Sequence, residues 1–159
     1  MHLVYPFRRA FSLIELVIVV VIIGIIAAIA IPRFSSATQN SQVSSVMGSL
    51  KVMTNAAEVY AAEHNGLTPA CAADGSIDSS TANFSARLTG NTAADGTVGM
   101  PFGPYLRAFP TNPYNQRNTI RLDGAAAGAN TDGWRYDSVT HKFQADDSAA
   151  SAAHQPDGA

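Results

Sequence analysis

From Leu16 to Ile31 every position is apolar, whereas beyond Pro32 the composition turns polar and one stripe of apolar residues recurs at intervals of three and four. The first pattern, taken from Phe11, is long enough as a helix to span about 30 Å, the thickness of a bilayer core. The second runs through Val43, Val46, Leu50, Met53, Ala57, Tyr60 and His64, the stripe of an amphipathic helix that buries one face. Together they predict a single helix from about Ser12 to Asn65, stopped by Gly66, with its upper half packed on a small sheet. Residues 66–100 are rich in Gly, Ala, Ser, Thr and Asp and read as loop, interrupted by a short helix over Ser79 to Leu88. That helix has Ser or Thr caps, Phe84 and Leu88 one turn apart, and Gly90 as its stop. Four prolines between Pro101 and Pro113 forbid a central strand and favour an ordered extended loop. Thr119 to Leu122, Gly133 to Asp137 and Lys142 to Ala145 are the strand candidates. The last two form a hairpin about Ser138 to His141 in which Trp134 and Tyr136 alternate with Arg135. The fold class is therefore α+β, a long N-terminal helix on a small antiparallel sheet. Asp146 to Ala159 has little to bury and reads as a disordered tail.

One residue breaks the apolar run. Glu15 is the sole ionisable side chain between Phe11 and Ile31. A charged carboxylate at membrane depth costs roughly 2.5 to 3.5 kcal/mol on insertion scales, so it marks function and requires a partner. No cation lies inside the segment, but a cut after Ala10 would create one, the α-amino group of Phe11. Arg8 and Arg9 precede the run and place the N-terminus in the cytoplasm by the positive-inside rule. Two other readings compete for this stretch. Arg8-Arg9 followed by Ala28-Ile29-Ala30 also fits a cleaved Sec or twin-arginine signal peptide, and a plain signal anchor with an incidental acid fits as well.

Arg8-Arg9-Ala10, then Phe11-Ser12-Leu13-Ile14-Glu15-Leu16, then the apolar helix with Gly24 and Pro32, resembles the class III signal of type IV pilins and type II secretion pseudopilins. The resemblance covers about the first 35 residues, with Ala10 standing where the family usually has Gly. It implies a pilin-like fold, cleavage between Ala10 and Phe11 by a membrane prepilin peptidase, N-methylation of Phe11, and assembly through Glu15, whose carboxylate meets the Phe11 ammonium of a neighbouring subunit. The segments it implies are a leader over 1–10, a transmembrane assembly helix over 11–32, a periplasmic domain over 33–145 and the tail over 146–159. Phe102-Gly103-Pro104-Tyr105-Leu106, Phe109-Pro110 and Asn112-Pro113-Tyr114 resemble the major, G-type pseudopilins. This second likeness implies a subunit of the type II secretion system, a periplasmic pseudopilus that drives protein export with minor pseudopilins and an inner-membrane assembly platform as partners. The alternative within the family is a type IV pilus subunit for adhesion or motility. An exported or membrane-anchored monomeric binding domain is the alternative of another class. Tyr105, Leu106 and Phe109 also have a simple explanation as core residues that hold the loop down.

Composition adds limits. The 159 residues and 47% hydrophobic content fit one domain plus an anchor, and a net charge of -2 gives no basic surface for nucleic acid. Cys71 is the one cysteine, so no intrachain disulfide frames the domain, unlike the disulfide-closed loop usual in type IVa pilins. No catalytic constellation is visible: His2, His64, His141 and His154 are scattered, with His64 reading as a helix-cap residue. A structural protein, not an enzyme, is expected. The G-type resemblance further implies a calcium ion in the C-terminal sheet, for which Asp123, Asp132 and Asp137 are candidates. Calcium takes 6 to 8 oxygen ligands, and without a compact, Gly-punctuated acidic loop these residues read as solvated turn acids. No cofactor is expected.

Overall fold

The chain forms two compact units, Met1–Asn40 and Ser41–Ala159, of which a computed structural model describes residues 11–148. The leader over 1–10, Ala10 included, and the greater part of the tail lie outside the described residues. Helix α1, Leu13–Glu63, includes Gly24 and Pro32 without interruption. Its Val- and Ile-rich beginning has modest intrinsic helix propensity. Inside a bilayer, however, a single segment can satisfy its own backbone donors and acceptors only as a helix.

In the second unit the predicted stripe is the buried face. Val46, Leu50, Met53, Ala56 and Tyr60 are at most 6% exposed, while Ala57 is only partly buried against this core. The helix ends at Glu63, two residues before the expected Asn65. Asn65 takes the left-handed conformation at φ 56°, followed by Gly66 at φ 84°, and the Gly66 amide donates to the Ala61 carbonyl at 2.8 Å. That bond is the six-to-one closure of a Schellman end, with Asn65 in the first left-handed place. His64 sits at this end, as expected of a cap residue, and is fully buried. Its ring stacks on Tyr60 with centroids 3.8 Å apart and its Nδ1 lies 2.7 Å from the Tyr60 carbonyl.

Helix α2, Thr81–Thr89, starts at the N-cap Ser80, whose side chain accepts from the Asn83 amide. Asp78 steadies that start, accepting from the Ser80 amide, Asn83 Nδ2 and Arg87 Nη2 at 3.0, 2.9 and 2.8 Å. Phe84 and Leu88 point into the core and are 0% exposed.

The strands β1 (Ile120–Leu122), β2 (Trp134–Asp137) and β3 (Lys142–Ala145) lie in the order β1-β2-β3. β2 and β3 form the expected antiparallel hairpin, with Trp134 opposite Ala145 and Tyr136 opposite Phe143. β1 runs parallel to β2, pairing Ile120 with Trp134 and Leu122 with Tyr136, so the sheet is mixed and not wholly antiparallel. The cause is the connection over 123–133, long enough to carry the chain back over the sheet so that β2 starts level with β1, where a hairpin turn would have reversed it. Side-chain alternation places Ile120, Trp134, Tyr136, Phe143 and Ala145 on the core face.

The proline-rich segment is an ordered loop, as its composition requires. Leu88 O accepts from the Tyr105 and Leu106 amides at 3.0 and 2.9 Å, and Trp134 Nε1 donates to Pro110 O at 2.7 Å. Gly133, just before β2, is held to backbone: a Cβ there would collide with the Arg117 carbonyl. The folded domain does not stop at Ala145. Asp146 and Asp147 are 0% and 1% exposed, because each is drawn inward by polar partners, so these two residues belong to the folded domain and not to the disordered tail expected from Asp146.

Candidate functional site

The first unit presents the candidate assembly surface. α1 is long and apolar enough to cross a membrane, and every large apolar side chain from Leu13 to Ile31 is at least 46% exposed. None of them belongs to the hydrophobic core, whose first member is Val46. At about 25 cal/mol per Å², such a stretch is strongly unfavourable in water and stable only in lipid or against other apolar helices. Glu15 stands in the first helical turn, where the positive end of the helix dipole favours a carboxylate. Phe11 precedes it by four residues and is 81% exposed. The Leu16 amide donates to Ser12 O at 3.2 Å, so the peptide that would become the new N-terminus leads directly into the helix. Phe11 and Glu15 are thus brought to one end of one apolar rod, while Ala10 lies outside the described residues.

The calcium candidates Asp123, Asp132 and Asp137 all lie in the second unit. Among the described residues no group of three or more His, Cys, Asp or Glu side chains is placed to hold an ion. The calcium candidates are separately engaged. Asp123 accepts from the Ser138 amide and hydroxyl, both at 2.7 Å. Asp137 accepts from Arg135 Nη2 at 2.9 Å and from the Val139 and Thr140 amides at 3.1 and 2.8 Å, caging the turn between β2 and β3. The Asp132 carbonyl accepts from Asn115 Nδ2 at 2.8 Å. The carboxylates of Asp123 and Asp137 are thus committed to hydrogen bonds with their own turns.

Reasoning from sequence missed the polar residue that organises this end of the domain, Asp146. Its carboxylate accepts from Arg121 Nε and Nη2 at 2.9 and 2.7 Å, and from the Thr131 hydroxyl at 3.0 Å. The amides of Gly128, Ala129 and Asp132 complete the set, each at 3.2 Å. Nothing in the Ala-, Ser- and Asp-rich context of Asp146 distinguishes it from a tail acid. Asn112, within the proline-rich loop, was also missed: fully buried, it donates through Nδ2 to Gly133 O and Asp147 Oδ2, both at 2.9 Å. Tyr105, read as a core residue, also closes the end of α1 by donating from its hydroxyl to Glu63 Oε2 at 2.5 Å. Burial, then the bond to the Glu63 carboxylate, pushes this phenol up to about 12, so it remains a donor.

Two carboxyls couple folding to acid. Burial works against ionisation of Asp146, but the Arg121 guanidinium, the Asp132 amide and the Thr131 hydroxyl prevail and hold it down at about 2. The Thr140 amide leads the same shift at Asp137, also to about 2. Both folded values lie below the ordinary 3.8, so the stabilisation is complete above pH ~4 and lost as pH falls toward ~2. The Tm of the detergent-solubilised chain is expected to be level from neutral pH to about 5 and to drop below about 4. A melt unchanged down to pH ~2 would contradict this assignment.

Comparison with known proteins bears on both units. Residues 6–31 match the prokaryotic N-terminal methylation motif. The chain is 33% identical over 129 residues to the type IV major fimbrial protein FimA of Dichelobacter nodosus, covering 77% of this chain and 75% of that protein. It is 47% identical over 51 residues to a fimbrial protein of Pseudomonas aeruginosa, covering 32% of this chain and 33% of the relative. With the type IV major pilin protein PilA of Myxococcus xanthus the identity is 47% over 58 residues, covering 36% and 26% respectively. These shorter matches span about a third or less of each relative. No solved structure gives a significant match.

Proposed function

The chain belongs to the type IV pilin family, and from that premise we propose that it is the structural subunit of a type IV pilus, a homopolymer built through the apolar half of α1. The observation that carries this reading is the row of exposed large apolar side chains from Leu13 to Ile31, a surface too large to leave in water and suited to both states of a pilin. Before assembly it lies in the inner membrane, with Arg8 and Arg9 on the cytoplasmic side and the second unit in the periplasm. After assembly the same side chains pack against copies of themselves. The peptidase cut after Ala10 and methylation of the new Phe11 amine supply a fixed cation at the end of the rod. Glu15 of an incoming subunit pairs with that amine on a neighbour, and any other register leaves a carboxylate buried without its partner. No step requires catalysis by this chain, whose work is mechanical. The relative matched across most of both chains is a type IV major fimbrial protein, which favours the pilus.

A second reading, a type II secretion pseudopilus with minor pseudopilins and an assembly platform, is favoured by two features. One is the Phe102 to Tyr114 segment and its resemblance to major pseudopilins. The other is the single cysteine, Cys71, which leaves no intrachain disulfide. Peptide mass spectrometry of the protein from its native membrane is expected to find an N-methylated Phe11 as the first residue. A start at Ile31 or an intact Met1 would instead indicate an exported or anchored monomeric domain. Deletion then separates the filaments: loss of surface fibres supports the pilus, whereas retained fibres with failed export of secreted enzymes supports the pseudopilus.

A further inference from the structure

The oxygens around the Arg121 side chain form a set that a hard cation favours, and the chain supplies its own cation to it. Nη1 donates to the carbonyls of Asp123 and Ala125 at 2.6 and 2.8 Å, and Nη2 to that of Ala126 at 3.1 Å. Nε and Nη2 meet the two carboxylate oxygens of Asp146 at 2.9 and 2.7 Å. Three backbone carbonyls and a carboxylate are donors of the kind that calcium takes from loops. They converge because Gly124 and Gly128, at φ 73° and 102°, let the chain turn back on itself. The carboxylate is fully buried, and the Gly128, Ala129 and Asp132 amides with the Thr131 hydroxyl fix its orientation from the other side. A guanidinium suits this place. Its planar fork addresses a carboxylate through two donors and carbonyls through the rest, and it keeps its proton at any working pH.

We infer that Arg121 is the resident cation of the 123–132 loop, so that the C-terminal sheet keeps its shape without bound calcium and its oxygen cradle becomes a calcium site once the guanidinium is removed. A covalently attached cation cannot be lost by dilution or chelation outside the cell membrane. The ion pair between β1 and the residue after β3 therefore locks the sheet whatever the surrounding calcium concentration. This inference concerns the folded domain alone and stands or falls independently of which filament the subunit builds.

The test is thermal unfolding of the full chain in detergent micelles, in excess EDTA and in millimolar CaCl2. The unaltered protein is expected to melt at one temperature in both. Arg121→Ala is expected to melt about 5 °C lower or more in EDTA and to recover about half of that loss in calcium, with calorimetric calcium binding that the unaltered protein does not show. Any of three results would overturn the inference: a Tm of the unaltered protein that falls in EDTA, an Arg121→Ala variant that melts normally, or a destabilised variant indifferent to calcium. Should Arg121→Ala fail to fold, Arg121→Lys keeps a positive charge but loses the fork. Its Gly128, Ala129 and Asp132 amides are expected to exchange roughly tenfold faster while those of β2 hold. Unchanged exchange at the three amides would equally overturn the assignment.

Discussion

Replacing Glu15 by valine is expected to abolish filaments while leaving the subunit in the membrane. The substitution removes the sole ionisable side chain between Phe11 and Ile31, so insertion becomes easier by roughly 2.5 to 3.5 kcal/mol and the protein should accumulate in the membrane fraction. Assembly loses the interaction that distinguishes the correct register from its neighbours. Apolar side chains can slide past one another at little cost, whereas a buried amine without its carboxylate is heavily penalised. A loss of this size corresponds to about 100-fold in the equilibrium for each subunit added, which across a polymer eliminates it. Electron microscopy of sheared material, with immunoblots of the membrane fraction, reads both halves of the expectation. Glu15→Gln keeps a hydrogen-bonding group without the charge and should also assemble poorly. Wild-type fibres from Glu15→Val would show that packing alone sets the register. Loss of the subunit from the membrane would mean that Glu15 acts in processing or insertion.

Trp134→Ala is expected to unfold the second unit. Trp134 is fully buried at the start of β2, pairs with both sheet neighbours, Ile120 and Ala145, and donates from Nε1 to Pro110 O. It therefore joins the sheet to the proline-rich loop, which in turn is fixed to α2 through Leu88 O. Truncation of a buried tryptophan typically costs about 3 to 5 kcal/mol, and the Pro110 carbonyl would be left without its donor at a further cost of about 1 to 3 kcal/mol. Set against a total stability of roughly 5 to 15 kcal/mol for a domain, this is most of what holds the fold together. Trp134→Phe keeps much of the packing and loses the hydrogen bond, so its penalty should be markedly smaller. Urea titrations followed by circular dichroism rank the two. Equal midpoints for the two variants would mean that the hydrogen bond, and not the packing, carries the contribution of Trp134.

The parts of the molecule legible in advance were those with a strong period or a strong chemical singularity. The stripe from Val43 to His64 identified the buried face of α1, with Val43 and Ala57 only half-buried at its margin and Ala56 buried beside it, because a 3.6-residue period admits one facing partner. Trp134 and Tyr136 on either side of Arg135 identified β2, although Arg135 is buried as well, held by Gln144 and Asp137. Glu15 stood out because no other ionisable group shares its apolar surroundings. The parallel pairing of β1 with β2 was not legible, since the expected elements matched in kind but their relative direction depends on the path taken by residues 123–133. Asp146 and Asn112 were missed for a related reason. A polar side chain carries no sign of burial until its partners are known, and the partners of Asp146 lie at Arg121 and along 128–132.

By itself, then, the sequence determined the membrane-length helix, its one charged residue, the α+β class and the family motif, because each follows from neighbours within a few turns of chain. Only the tertiary structure decided which acids are solvated and which are structural, how the strands pair, and that an arginine occupies the oxygen-lined loop. Those outcomes depend on groups distant in sequence meeting at hydrogen-bonding distance, where the cost of burying a polar atom is offset only by a partner that folding brings to it.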